Sequence, residues 1–295
     1  MDLHHPLFQS LALPLVVAFM VTGMLRGALG PVQGRRWAGA GAALAIVGTA
    51  VWILGWRTPP GTLTERLPWV YAVVALAGLG LEALHAGRRS EWLTASMLWA
   101  LALASLATQA LPLMIGLWAL GTAVIRAVLR EHAARANAAS ILVVASLGLA
   151  AVAMASGSAM LFELSLSLAA AVAGCALWLW PFVRIAFGAA GALVATLAWL
   201  ALTLATALLT EVRPPTLLLL AGAFTAGPLV HWGRRRLQRP GPAPPPTTAR
   251  TWVEPLFVAA VAAAWVAAAL AVAQWGGAGD APRATMADPY YKPSW

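Results

Sequence analysis

The feature that most constrains this chain is a succession of apolar runs. Most are near or above the eighteen or so residues that a helix needs to cross the hydrocarbon core of a bilayer. They fall at Leu7–Leu29, Trp37–Trp56, Leu67–His85, Trp92–Thr108, Leu111–Leu129, Asn137–Ala155, Met160–Trp180, Phe182–Leu209, Pro215–Trp232 and Val253–Trp275. Inside lipid only helices and closed barrels satisfy their own backbone groups, and runs of this length are helical. The predicted fold class is all-α: a polytopic transmembrane helical bundle of about ten spans. Composition agrees, because 61% of the residues are hydrophobic and 10% charged, against roughly 45–50% and 25% in soluble domains.

The predicted order is a nine-span membrane core over 1–232, a cytoplasmic basic and Pro-rich linker over 233–252, a final transmembrane helix over 253–275 and an outer tail over 276–295. Proline marks the tightest divisions, since Pro112 and Pro181 fit a helix's first turn better than its interior. In the linker, Pro240, Pro242 and Pro244 to Pro246 disfavour helix and support an extended tether for the last span.

Orientation follows from residues that play no part in finding the apolar runs. The alternate segments and span ends that would face the cytoplasm hold Arg26, Arg35, Arg36, Arg88, Arg89, Arg126, Arg130, Arg135, Arg184, Arg234, Arg235, Arg236, Arg239 and Arg250. The others hold Arg57, Arg66, Arg213, Arg283 and Lys292, which makes fourteen against five of the nineteen basic residues. By the positive-inside rule both termini lie outside a bacterial-type inner membrane, and the first span is retained. The net charge of +9 thus reports orientation rather than nucleic acid, whose binding surfaces cluster basic residues on a polar domain. Nine of the tryptophans fall near span ends, while Trp52, Trp99, Trp118, Trp199 and Trp265 lie deeper and are expected to pack between helices.

Ionisable groups inside spans are costly and are functional candidates for that reason. Glu82 and His85, three apart near the cytoplasmic end of the third span, share a helix face and suit a proton relay or a cation site. The alternative for Glu82 is to snorkel and pair with a nearby arginine. Glu163 lies in the opening turns of the seventh span, with Ser167 one turn along the same face, where a carboxylate can meet a cationic or hydroxylated solute; it also suits a helix N-terminus. Glu254, next to Pro255, is read as a first-turn acid.

The lone cysteine, Cys175, excludes a disulfide framework and a Cys-based metal centre. His85, His132 and His231 all fall near the cytoplasmic face, and His85 with His231 is the pair best placed to hold a haem, but the lone cysteine leaves no haem-attachment motif and no cofactor is expected. No zinc-protease, phosphate-loop or nucleophile-elbow pattern occurs, so no enzyme is expected. By size and span count the chain is similar to ten-helix drug and metabolite exporters, with which it shares no motif and from whose cytoplasmic termini it departs. The leading reading is a small-solute permease or exporter embedded in the bilayer, with Glu163, Ser167, Glu82 and His85 as the polar points of its path. The alternative is a non-catalytic scaffold or anchor subunit that binds other membrane subunits, for which the aromatic tail Asp288 to Trp295 is the candidate contact.

Overall fold

The computed structural model describes residues 8–106, 111–131, 136–181, 183–237 and 248–277, and among these no strand occurs. Ten helices follow one another: α1 (Phe8–Ala28), α2 (Gly30–Leu54), α3 (Leu63–Ala83), α4 (Arg88–Leu106), α5 (Leu111–Glu131), α6 (Asn137–Ala155), α7 (Ala159–Ala176), α8 (Gly188–Leu209), α9 (Pro214–Arg236) and α10 (Thr248–Gly277). Nine are long and apolar enough to cross a membrane. The exception is α4, whose first turn is the polar stretch Arg88-Arg89-Ser90-Glu91, although the fourteen or so residues beyond it are apolar in the main. The chain is therefore a polytopic helical membrane protein.

The core is built around α8, which packs against every helix from α2 to α7 and is buried on nearly all sides. Its sequence explains how so many neighbours fit: thirteen of its twenty-two residues are Ala, Gly or Thr at close intervals, and small side chains let helix backbones approach. At Gly78 of α3, a Cβ would lie 2.8 Å from Ala190 Cα, so a larger residue there would push α3 off α8. The hydroxyls of Thr196 and Thr206 are consumed locally, each donating to the carbonyl four residues back. The outer surface carries the large apolar side chains instead, among them Met24, Leu76, Met97, Leu111 and Met154. That arrangement suits lipid as the solvent.

Two prolines leave local marks. Pro14 opens the α-helical part of α1 behind a wider π-turn at Phe8–Ala12. Pro228 follows a 3₁₀ turn at Ala223–Thr225 within α9, where its missing N–H would have bonded Phe224.

The structure departs from the sequence expectations in four places. First, α8 begins at Gly188, so Pro181 sits in a connecting segment rather than in a first turn; this segment is anchored where Ala186 N–H donates to Arg35 O at 2.8 Å, with Ile185 and Phe187 buried. Second, Arg234, Arg235 and Arg236 form the final turns of α9 rather than an extended linker, and the Pro-rich stretch 240–246 lies outside the described residues. Third, α10 is docked rather than merely tethered: Val258, Ala262 and Ala269 are buried, Val266 fills the space left by Gly148 of α6, and Trp265 lies against Gly222 of α9. Fourth, Trp52 is 62% exposed and Trp118 also faces outward, whereas Trp99 and Trp199 are buried as expected. The outer tail 276–295 lies beyond the residues whose side chains are described.

Candidate functional site

Side-chain bonds gather the basic residues at one end of the bundle. Arg26 Nε donates to Arg184 O at 3.2 Å, joining the end of α1 to the approach of α8. Arg36, at the start of α2, donates to the backbone oxygen of Glu82 at the end of α3. Arg88 and Arg89 open α4 beside Arg126 and Arg130 at the end of α5. Arg234 of α9 reaches Glu254 of α10. The opposite end holds Arg57, which pairs with Glu65 at 3.1 Å, and Arg66, which donates to Ser105 O. There the capping box Thr62–Glu65 starts α3, with Glu65 accepting from the backbone N–H groups of Gly61 and Thr62.

At the basic end, Glu82 is 4% exposed. Its Oε1 accepts from Ala190 N–H at 3.1 Å, in the first turn of α8, where the N–H groups have no partner within the helix. Gly188 makes this approach feasible: its φ of +66° is a left-handed conformation, and a Cβ there would collide with Glu82 Oε1. The second oxygen, Oε2, is buried with no hydrogen-bond partner among the described residues. Glu82 lines a cavity of about 380 Å³ together with Arg36, His85 and Glu91. Glu82 therefore neither snorkels nor pairs through its carboxylate with an arginine of α4 or α5.

His85 reaches this cavity by a different route from the one expected. Helix α3 ends at Ala83, and His85 lies beyond it at φ 52°, so the two residues do not share a helix face. The chain turns there, His85 Nδ1 lies 3.0 Å from Ala83 O, and the exposed ring lines the cavity mouth.

Glu163 and Ser167 stand apart from this pair. They lie on α7, Glu163 half-buried in its second turn near the opposite end of the bundle. Ser167 is buried and donates to Leu164 O at 2.8 Å, so its hydroxyl is committed to its own helix. The structure thus joins Glu82 with His85 and leaves Glu163 with Ser167 as a separate polar position.

A second cluster escaped the sequence analysis. Asn137, the first residue of α6, is fully buried and donates from Nδ2 to Glu131 Oε2 and to Glu254 Oε1, both at 3.1 Å. Arg234 Nη1 donates to Glu254 Oε2 at 2.6 Å, and His231 Nε2 lies 3.1 Å from Glu131 Oε1. Gly227 leaves the room that Glu131 occupies. Four helices, α5, α6, α9 and α10, are locked together by these five side chains. Glu254 is not a first-turn acid, because α10 begins at Thr248; Asn137 and Arg234 reach it from two other helices. The available signal was depth: Glu131, His231 and Glu254 all fall at span ends on the same side. Among the described residues no group of three or more His, Cys, Asp or Glu is arranged to hold a metal ion.

The chain matches no protein-family model and no curated protein, so its functional reading rests on these residues.

Proposed function

We propose that this chain is a small-solute permease or exporter of a bacterial-type inner membrane, catalysing no covalent reaction, with its basic end in the cytoplasm and both termini outside. The observation that carries the reading is the Glu82 cavity. A carboxylate 4% exposed, with one oxygen buried and unbonded among the described residues, on a side chain that lines a space of about 380 Å³, is costly to maintain unless something polar compensates it. Arg36, His85 and Glu91 give the lining both signs of charge, which suits a small zwitterionic or amine-bearing solute. Glu163, with Ser167 behind it, is the polar station at the other end of the path.

Glu82→Gln tests this directly. Glutamine keeps the volume and an acceptor for Ala190 N–H, so the fold is retained while the charge is removed. Cells producing the intact chain or this variant are compared for retention of labelled amino acids, amines and polyols. The intact chain is expected to shift the distribution of at least one compound, and Glu82→Gln to abolish that shift. An unchanged shift would return Glu82 to a purely capping role.

The alternative, a scaffold or anchor subunit, is favoured by one feature. The first half of α5 is exposed almost all round, with Leu111, Leu113 and Ile115 outermost. A stoichiometric partner that co-purifies with the chain and is indifferent to Glu82→Gln would favour that reading.

A further inference from the structure

A cavity of about 470 Å³ lies between the start of α4 and the end of α5, lined by Arg88, Arg89, Trp92, Leu93, Arg126 and Arg130. None of the four guanidinium groups has a hydrogen-bond or ion-pair partner among the described residues. Trp92 Nε1 is also buried without an acceptor. The acids next to these arginines in the chain serve elsewhere: Glu91 lines the Glu82 cavity, and Glu131 is bonded to Asn137 and His231. Among the described residues, every side-chain polar group on this wall is therefore a donor, since guanidinium and indole N–H groups accept nothing. Arg88 and Arg89 also open α4, where the helix dipole adds positive potential. Arg126 and Arg130, four apart on α5, repel one another unless an anion lies between them.

The missing component is an acceptor with several oxygens and negative charge, which is the chemistry of a phosphate group. Its source is indicated by what lies below it. Arg89, Leu93, Met97 and Leu101 recur every four residues and so form one stripe along α4, and the three apolar members are all exposed. A soluble phosphate ester has no use for such a stripe, whereas a phospholipid places acyl chains against it. We propose that this cavity binds the phosphate of an anionic phospholipid in the leaflet at the basic end, with its acyl chains lying along Leu93, Met97 and Leu101. Basic pockets between transmembrane helices take anionic headgroups in this way, and the site is independent of the Glu82 cavity.

The test is native mass spectrometry of the full-length protein in zwitterionic detergent, titrated with phosphatidylglycerol or phosphatidylcholine. Two paired variants are compared, Arg126→Gln/Arg130→Gln in the cavity and Arg235→Gln/Arg236→Gln elsewhere at the same end. Phosphatidylglycerol affinity is expected to fall roughly thirtyfold in the first pair, the strength of two basic residues at an anionic surface, and less than about threefold in the second. Arg126→Gln alone replaces the cavity pair if the pair does not fold. An equal loss in both pairs, or none in either, would overturn the site. Displacement of the lipid by glycerol phosphate would overturn the lipid as its occupant.

Discussion

The five-residue lock gives the sharpest prediction about stability, through Glu254→Ala. Glu254 accepts from Arg234 at 2.6 Å and from Asn137 at 3.1 Å, and its side chain is 7% exposed. A hydrogen bond to a charged group contributes about 1.5–3 kcal/mol, and removing one partner of a buried ion pair costs about 3–5 kcal/mol because the other charge stays desolvated. Two observations lower the second figure here. Arg234 keeps 30% of its side chain exposed and can turn toward water, and Asn137 keeps its bond to Glu131. The expected loss is about 2–3 kcal/mol, the lower part of both ranges. At about 2–4 °C per kcal/mol, the apparent Tm falls by roughly 5–10 °C. Tryptophan fluorescence during heating in mild detergent reads this, since the chain has fifteen tryptophans. Arg234→Ala should also lower Tm, and the double variant should lose less than the sum of the singles by about 1–2 kcal/mol, because both remove the same bond. A Tm within a degree of the intact protein, or strict additivity in the double variant, would refute the lock.

Gly188→Ala places a Cβ against Glu82 Oε1 at φ +66°, and Gly80→Ala places one in open space. The first should cost about 2–4 kcal/mol, from left-handed strain and the lost Ala190 bond, and the second should be neutral or stabilising; equal melting of the two would refute the cap. For orientation, Thr58→Cys and Thr210→Cys in a Cys175→Ala background should react with an impermeant thiol reagent added to intact cells. Gly87→Cys and Arg235→Cys should react only after the cells are opened, and the reverse pattern would invert the assignment of faces.

The helical class and the helix order were legible because hydrophobic run length in lipid leaves the backbone no other choice. The Arg pattern marked in advance the residues that the structure gathers at one end. What was not legible depended on partners distant in the chain. Glu82 could be placed near a span end, but its acceptor role at Ala190 follows from the packing of α3 on α8, which no local pattern reveals. His85 was misjudged because the apolar run continues through Leu84, whereas the helix stops at Ala83 and the next residues turn away. Glu254 and Pro255 resemble a helix start, and only the position of Thr248 shows that the helix is already underway. Asn137 was overlooked because one amide at a span boundary is unremarkable until Glu131 and Glu254 are brought against it from two sides.

The bond between Glu82 and Ala190 spans 108 residues, and this separation becomes a delay when the protein is made. At about 5–20 residues per second, a ribosome needs roughly 5–20 s to pass from α3 to the amide that receives this carboxylate. Glu82 therefore reaches the membrane ahead of its helix of destination by about that interval. Its place, one residue from the end of α3, keeps it near water while it waits. A carboxylate moved two turns deeper would face the same delay in hydrocarbon, so the nascent chain itself limits how far into the bilayer this acid can lie.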